Sequence, residues 1–213
     1  MGDKSELYEA VLAGQAPKTK TLVQEALARN RTAQDILDNH LIPAMAEVGR
    51  LFENHEYFVP ELLISARAMK GALEILRPLL ATAGAKPAGR VLIGTVRGDL
   101  HDIGKNLVAA MLEGGGFEVI DLGVDVSPEK YVAAVNEKHP DIIAMSALLT
   151  TTMPSMKTTV QALAASGVRG KVKVMIGGAP VTQRYADEVG ADGFSDNASG
   201  AVAVARRLVG AKL

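Results

Sequence analysis

The residues best suited to chemistry lie in the segment GDLHDIGKN, residues 98–106, where His101 stands between Asp99 and Asp102. A neutral imidazole binds a metal through one ring nitrogen while a carboxylate accepts a hydrogen bond from the other, which fixes the tautomer and raises the basicity of the ligand. His101 and Asp99, two residues apart, provide both groups. The segment therefore favours a metal-binding histidine oriented by an aspartate.

The other protein ligands that the chain could offer to a metal are few. There is no cysteine, and the other histidines, His40, His55 and His139, are distant from His101 in the sequence. One imidazole among carboxylates would hold a bare transition-metal ion poorly. A metal carried inside a macrocycle needs only one axial ligand from the protein, and His101 can supply it.

Other interpretations of His101 differ in how well the sequence agrees with them. A purely structural histidine is the simplest, although the flanking aspartates weigh against it. A phosphoacceptor domain would need an aspartate where Ser146 stands, and a dinucleotide site would need the G-x-G-x-x-G turn that TVRGDLHDIG lacks. A flavin site remains open on the predicted fold alone, because nothing in the segment argues for it or against it.

Short apolar runs alternate with amphipathic segments over residues 90–213. Five β/α repeats of this length predict an α/β fold with a doubly wound, parallel, five-stranded sheet of the flavodoxin-like (Rossmann-type) kind. Ser127 and Pro128 form a suitable N-cap and first turn for the second helix. The predicted strands are 90–96, 117–122, 141–146, 172–176 and 192–195, and the predicted helices are 103–114, 128–138, 153–166, 181–189 and 198–210.

The unusual polar and small residues of this region follow the ends of the predicted strands. In a flavodoxin-like sheet, ligands bind outside the carboxyl ends of the strands, between strands one and three. We therefore expect one binding site at this edge, formed by four separate pieces of sequence. These pieces are His101, then Ser146 and Thr150, then Gly177 and Gly178, and finally Asp196, Asn197 and Ala198.

The first 80 residues have the periodicity of helices rather than strands. Helices are predicted over 4–12 and 18–29, from the N-cap Thr32 to about Phe52, and from Pro60 to about Leu80, which together make a four-helix bundle. Pro43 should kink or break the third helix. The segment ATAGAKPAG then has the composition of a linker. The predicted division is a helical domain at 1–82, a linker at 83–89 and an α/β domain at 90–213.

Composition argues against several classes of function. The formal net charge is −1, and neither half of the chain concentrates positive charge, so no nucleic-acid partner is expected. No apolar run approaches the roughly 18 residues of a membrane span, and the N-terminal segment MGDKSELYEA lacks the apolar region of a signal peptide. We expect a cytoplasmic protein with no membrane partner.

Several motifs together resemble those of cobalamin (corrinoid) binding domains. GDLHDIGKN resembles the D-x-H-x-x-G motif, with Asp99, His101 and Gly104 in place. SALLTT (146–151) resembles the S-x-L segment, and MIGGAP (175–180) resembles the paired-glycine segment. Residues 49–80 are similar to the helical cap of methionine synthase and of corrinoid methyltransferase proteins. The resemblance extends over nearly the whole chain.

The resemblance implies a cofactor site residue by residue. His101 would be the lower axial ligand of cobalt in cobalamin or another corrinoid, and Asp99 would bind the other imidazole nitrogen. Thr152 falls where methionine synthase has a serine that extends this His–Asp relay. The other implied cofactor-binding positions are Gly98, Leu100, Asp102, Ile103 and Gly104 in the histidine loop, Ser146, Leu148 and Thr150 near the buried base, and Gly177, Gly178 and Ala198 near the tail.

The cap would cover the upper face of the corrin ring. Phe52 matches an aromatic residue that shields the methyl ligand, and Val59 falls where methionine synthase has a leucine. A smaller side chain at Val59 would leave this face more open. Both residues would also serve as ordinary core residues of a helical bundle, and the sequence alone leaves that alternative in place.

The implied function is that of a methyl carrier in anaerobic one-carbon metabolism. The chain would accept a methyl group on Co(I) from a substrate-specific methyltransferase acting on methanol, a methylamine or a methoxylated aromatic. A second methyltransferase would pass the methyl group to tetrahydrofolate or coenzyme M, and a reductive activase would maintain Co(I). The carrier itself would be a corrinoid subunit with no catalytic residue. The alternatives are an adenosylcobalamin mutase small subunit and a cobalamin-dependent sensor or regulator.

Overall fold

The computed structural model describes residues 5–210. The described chain forms two compact units. One contains residues up to 87 together with 113–116, and the other contains residues 88–112 and those from 117 onward. The finer division into a domain at 1–82, a linker at 83–89 and a domain at 90–213 remains a prediction.

The first unit is helical. Its helices are α1 (Glu6–Leu12), α2 (Ala16–Ala28), α3 (Ala33–Ile36), α4 (Ile42–Glu53) and α5 (Val59–Thr82). A π-helical turn, Leu37–Leu41, joins α3 directly to α4, so these two form one continuous segment and the unit has four segments, as predicted. The change of helix type comes immediately before Pro43, which lies in the first turn of α4. Proline lacks the N–H that a regular helix needs there, which explains the predicted disruption.

Local hydrogen bonds explain where these helices begin. Thr32 caps α3 as predicted, because its Oγ1 accepts a hydrogen bond of 3.1 Å from the N–H of Asp35. The carboxylate of Glu61 accepts a hydrogen bond of 3.0 Å from the N–H of Phe58 at the start of α5. The inward faces of the helices are fully or almost fully buried, with Val11, Val23, Ile36, Leu41, Val48, Leu62 and Leu76 among the core residues.

The second unit is built on a five-stranded parallel sheet. Its strands are β1 (Arg90–Thr95), β2 (Glu118–Asp121), β3 (Ile142–Ser146), β4 (Lys173–Gly177) and β5 (Gly193–Phe194). Their order is β2-β1-β3-β4-β5, and all four pairings are parallel. This is the predicted flavodoxin-like order. The fifth strand is only two residues long, shorter than the predicted 192–195.

Helices cover both faces of this sheet. They are α6 (Ile103–Gly114), α7 (Pro128–Lys138), α8 (Pro154–Ala165), α9 (Gln183–Val189) and α10 (Ala198–Leu208). Side chains of the central strands alternate between the faces, as the pleat of a strand requires. Leu92 and Ile143 pack with α7, α8 and α9, whereas Val91, Ile93 and Ile142 pack with α6 and α10. No helix within residues 5–210 is long and apolar enough to span a membrane.

Candidate functional site

The centre of the candidate site is the buried carboxylate of Asp99, in the loop between β1 and α6. Its side chain has no exposed surface. Oδ2 accepts hydrogen bonds of 2.7 Å from Thr152 Oγ1 and 2.8 Å from the N–H of Leu148. Oδ1 accepts hydrogen bonds of 2.7 Å from His101 Nδ1 and 3.0 Å from the N–H of His101. Both oxygens are therefore fully used.

These hydrogen bonds determine the charge of Asp99. Burial alone would raise the pKa of this carboxyl group, because a buried charge is poorly solvated. The hydrogen bonds from the Thr152 hydroxyl, from the N–H groups of His101 and Leu148, and from the His101 ring outweigh burial and hold the pKa of Asp99 well below its usual range. Asp99 is therefore a carboxylate at neutral pH.

The ionised Asp99 sets the tautomer of His101. A carboxylate accepts hydrogen bonds and cannot donate one, so Nδ1 of His101 carries the proton and the lone pair of the neutral ring is on Nε2. Half of the His101 side chain is exposed, at 50%. Within residues 5–210 the structure shows no hydrogen bond to Nε2. The imidazole therefore presents a free nitrogen lone pair at the surface of this unit.

The backbone of His101 is held as firmly as its ring. Its N–H donates to Asp99, and its carbonyl oxygen accepts a hydrogen bond of 2.9 Å from Oγ1 of Thr95, whose side chain is completely buried at the end of β1. Sequence reasoning did not identify Thr95 as a site residue. The available signal was a hydroxyl in the last position of the otherwise apolar strand RVLIGT.

Apolar side chains in and near the histidine loop are unusually exposed. Leu100 and Ile103 are 71% and 77% exposed, and Leu148 and Leu149 in the loop after β3 are each 42% exposed. A Cβ added at Gly104, in the first turn of α6, would have no atom within 4 Å. Exposed apolar surface of this kind favours contact with a ligand or partner. These residues fit a group with apolar surface bound beside His101.

The paired glycines after β4 allow two loops to approach each other closely. Gly178 has φ +131°, a conformation that residues with a side chain rarely adopt, and an added Cβ would overlap the backbone carbonyl oxygen of Ala147. A Cβ at Gly177 would lie 3.2 Å from the carbonyl oxygen of Ser195. Glycine is therefore needed at 178 for the packing of the strand ends, whereas a side chain at 177 would require only a small shift of its neighbour.

Some of the predicted site residues are hydrogen-bonded to one another in the structure, and for the others the structure gives only position and burial. Asp99, His101, Leu148 and Thr152 form one hydrogen-bonded group, although about fifty positions separate the two pieces of sequence. Three of the remaining predicted positions are exposed: Gly98, which has φ +84°, Asp102 and Thr150. Ser146 is partly buried and pairs with Gly177 in the sheet. Ala198 is buried at the start of α10.

Phe52 and Val59 belong to the helical unit. Phe52 is partly buried near the end of α4, and Val59 is the first residue of α5, 39% exposed. Neither is fully buried, and their role as cofactor contacts or as packing residues of the bundle remains a prediction. Among residues 5–210 there is no group of three or more His, Asp or Glu side chains placed to hold a metal ion. The donor set near His101 is thus that of a single-ligand site.

Comparison with known proteins agrees with this geometry. Two domain families, each described as a B12 binding domain, match residues 89–204 and 4–77. The fold and the site thus define a B12-binding protein of the α/β class with a helical N-terminal region. The chain belongs to the corrinoid proteins, and its cofactor is cobalamin or another corrinoid.

Individual relatives cover almost the entire chain. Dimethylamine corrinoid protein 1 of Methanosarcina acetivorans is 40% identical over 97% of this chain and 99% of its own length. A cobalamin-binding protein from Desulfitobacterium hafniense has the same fold, with a TM-score of 0.81, 35% identity, and coverage of 98% of this chain and 99% of that one. The methanol:cobalamin methyltransferase complex MtaBC from Methanosarcina barkeri contains a chain with a TM-score of 0.85 and 30% identity, covering 97% of this chain and 79% of that one.

Proposed function

We propose that this chain is a methyl carrier, the corrinoid subunit of a methyltransferase system with separate catalytic components. The single observation that carries the proposal is the hydrogen-bonded group formed by His101, Asp99 and Thr152. It presents one oriented imidazole lone pair beside exposed apolar surface. A metal inside a macrocycle can be held by a single ligand of this kind.

In this proposal His101 would hold the cobalt of the corrinoid through Nε2, and Asp99 and Thr152 would orient the imidazole. When bound, the corrinoid supplies a cobalt centre that accepts a methyl group and later releases it. The chain's own part is to hold the imidazole in place through the hydrogen bonds of Asp99 and Thr152.

The other cofactor contacts are proposed from their positions along the same edge of the sheet. Gly98, Leu100, Asp102, Ile103 and Gly104 would contact the ring and the nucleotide beside the histidine loop. At the ends of the remaining strands the proposed contacts are Ser146, Leu148, Thr150, Gly177, Gly178 and Ala198. Support comes from their exposure or from their place after β3, β4 and β5, where ligands of such sheets bind.

We also propose Phe52 and Val59 as cofactor-binding residues of the helical unit. Both side chains retain exposed surface, as residues that contact a ligand would. The match of residues 4–77 to a B12 binding domain supports a role of the helical unit in cofactor binding. It also weighs against a mutase small subunit, in which such a helical cap is not expected.

The proposed partners supply the catalysis. A substrate-specific methyltransferase would transfer the methyl group from a methylamine or methanol, in line with the relatives named for dimethylamine and methanol. A second methyltransferase would transfer it to tetrahydrofolate or coenzyme M, and a reductive activase would restore the reduced metal. The described residues near His101 offer a metal ligand and apolar surface, and the proposal assigns activation of the methyl donor to the partner.

The ligand assignment is tested with His101→Ala in the corrinoid-loaded protein. The electron paramagnetic resonance spectrum of Co(II) should lose the nitrogen coupling that comes from histidine, while the far-ultraviolet circular dichroism stays unchanged. His55→Ala, a replacement of an exposed histidine in the helical unit, is the matched control. Histidine coupling that survives in His101→Ala would refute the assignment.

The carrier role is tested by supplying methyl donors to the reduced, corrinoid-loaded protein. Dimethylamine or methanol should give no methyl transfer with this chain alone, as followed by the visible spectrum of the cofactor. Transfer should appear when the matching methyltransferase is added. Multiple turnover from donor to acceptor by this chain alone would contradict the carrier role.

A further inference from the structure

A second loop holds the segment that carries His101. This bracing loop, residues 121–126, begins at the last residue of β2. Asp125 makes two hydrogen bonds with the histidine loop. Its Oδ1 accepts a bond of 2.7 Å from the N–H of Gly98, and its own N–H donates a bond of 3.0 Å to the carbonyl oxygen of Asp99. Asp125 therefore clamps the backbone immediately beside the carboxylate that orients His101.

The bracing loop also reaches the other end of the histidine loop. Asp121 forms an ion pair with Lys105, whose side chain is only 2% exposed, and Lys105 Nζ donates a hydrogen bond of 2.7 Å to Asn106 Oδ1. The two carboxylates of the bracing loop thus bind the start and the end of segment 98–106. Two anchors of this kind limit how far the backbone between them can shift.

The backbone of Asp125 indicates that its side chain has a specific use. Its φ is +51°, in the left-handed region that most residues with a side chain avoid. Aspartate and asparagine tolerate this region better than other such residues, and glycine adopts it freely. Strained conformations persist where the surrounding contacts determine them, and the two hydrogen bonds of Asp125 are such contacts.

We propose that Asp125 is a positioning residue for the metal ligand. It acts through the backbone of Gly98 and Asp99, and so keeps the imidazole of His101 where it can bind the metal. The proposal rests on the proposed function in that it takes His101 as the ligand. The physical reason is that a ligand's direction depends on the residues behind it, and a displacement of about 1 Å weakens a metal site.

Three substitutions separate the side-chain hydrogen bond from the backbone conformation. Asp125→Asn keeps an acceptor oxygen and tolerates positive φ. Asp125→Gly keeps the conformation at no steric cost but removes the acceptor, and Asp125→Ala removes the acceptor and keeps the strain. His139→Gly is the matched control, because His139 also has positive φ (+47°) but ends α7 at the opposite edge of the sheet from His101.

Two measurements report on the clamp, one without the cofactor and one with it. In the cofactor-free protein, the N–H of Gly98 should exchange with solvent about 3- to 10-fold faster in Asp125→Gly and Asp125→Ala than in the wild type, as expected for loss of one exposed hydrogen bond. In the loaded Co(II) protein, the equilibrium between histidine-bound and histidine-free metal should shift toward the free form by a similar factor. Asp125→Asn and His139→Gly should behave like the wild type in both measurements.

The outcomes distinguish this proposal from the proposed function. Wild-type behaviour of Asp125→Gly in both measurements would overturn the proposal, since the hydrogen bond would then have no effect on the ligand. An equal loss of histidine binding in Asp125→Asn and Asp125→Gly would also overturn it, because charge rather than the hydrogen bond would be responsible. If the wild type shows no histidine coupling while Gly98 exchange still responds to Asp125, the ligand assignment of His101 fails and the clamp stands.

Discussion

The hydroxyl of Thr152 donates a 2.7 Å hydrogen bond to Oδ2 of Asp99, the oxygen opposite the one that accepts from His101 Nδ1. The same hydroxyl lies 2.9 Å from the carbonyl oxygen of Leu149. Thr152 is 8% exposed, so its oxygen has little access to water. One buried hydroxyl thus links the loop after β3 to the carboxylate that orients the imidazole.

Removal of this hydroxyl should destabilise the protein and loosen the imidazole. We expect Thr152→Val, which keeps the shape of the side chain, to lower the free energy of unfolding by about 1–3 kcal/mol, because one oxygen of a buried carboxylate loses a donor. Thr152→Ser keeps the donor and is the matched control. Urea unfolding of the cofactor-free proteins measures the difference. A loss of the same size in Thr152→Ser would mean that the methyl group, and not the hydrogen bond, is responsible.

The paired glycines should differ sharply from other glycines in their tolerance of a side chain. Gly178→Ala should cost about 2–4 kcal/mol or prevent folding, because the added Cβ overlaps the carbonyl oxygen of Ala147 and φ is +131°. Gly167→Ala is the matched control, since Gly167 has φ +71° but no atom within 4 Å of an added Cβ. It should cost only about 1 kcal/mol. Thermal unfolding compares the two, and equal costs would refute the close approach of the strand ends.

The two residues of the Lys105–Asp121 ion pair are buried to different extents. Substitution of one should therefore change the free energy of unfolding more than substitution of the other. Lys105 is almost completely buried, whereas 43% of the Asp121 side chain is exposed. Asp121→Ala should lower the free energy of unfolding by about 1–3 kcal/mol, because it leaves a buried ammonium without its carboxylate. Lys105→Met, which fills the same space with an apolar chain, should cost less or nothing. The opposite order in chemical denaturation would show that the buried charge itself stabilises the loop.

A histidine in the helical unit should make stability depend on pH. His40 lies in the π-helical turn, where Nδ1 is 2.7 Å from Ser5 Oγ and Nε2 contacts the guanidinium of Arg31. Burial and then the Arg31 charge lower the pKa of His40, and Asp35 opposes them in part. Because Arg31 can only donate, Nε2 must be the acceptor and the folded state favours the neutral ring.

The sign of the effect follows from this lowered pKa. The unfolded chain binds the His40 proton more readily, so the stability due to neutral His40 is complete above about pH 6.5 and is lost as the pH falls toward the folded-state pKa. The free energy of unfolding of the wild type should therefore fall as the pH drops below about 6.5. His40→Gln should reduce that slope, while His55→Gln, at an exposed site, should not. An unchanged slope in His40→Gln would contradict the prediction.

The predictions from sequence were most accurate where a local pattern determines structure. Apolar periodicity located all five strands and the helices between them to within about two residues, and Thr32 and Ser127 cap the predicted helices. The fifth strand was predicted too long, because the run at 192–195 has few apolar residues and only Gly193 and Phe194 pair with β4. Chain order and short connections sufficed for the sheet topology, since parallel β/α repeats have few alternative arrangements.

By itself, the sequence determined which residues are available for chemistry. Asp99 and His101 are two positions apart, so the geometry of one turn brings the carboxylate to Nδ1, and the absence of cysteine restricts the metal ligands that remain. The motif also indicated the corrinoid family, which the comparisons confirm. These conclusions depend only on neighbouring residues and on composition, which the amino-acid order contains directly.

Only the tertiary structure decided what holds those residues in place. The resemblance had implied that Thr152 contacts Asp99 from 53 positions away. The N–H of Leu148 reaches Asp99 from 49 positions away and Asp125 reaches Gly98 from 27, and no sequence signal indicated either contact. Thr95 and Asp125 lie in no motif, and Lys105 lies in GDLHDIGKN but was not recognised as a contact residue. Their roles arise because parallel strands bring their carboxyl ends to one edge of the sheet. There, loops that are far apart in the chain form hydrogen bonds with one another. Which groups pair depends on backbone direction and burial.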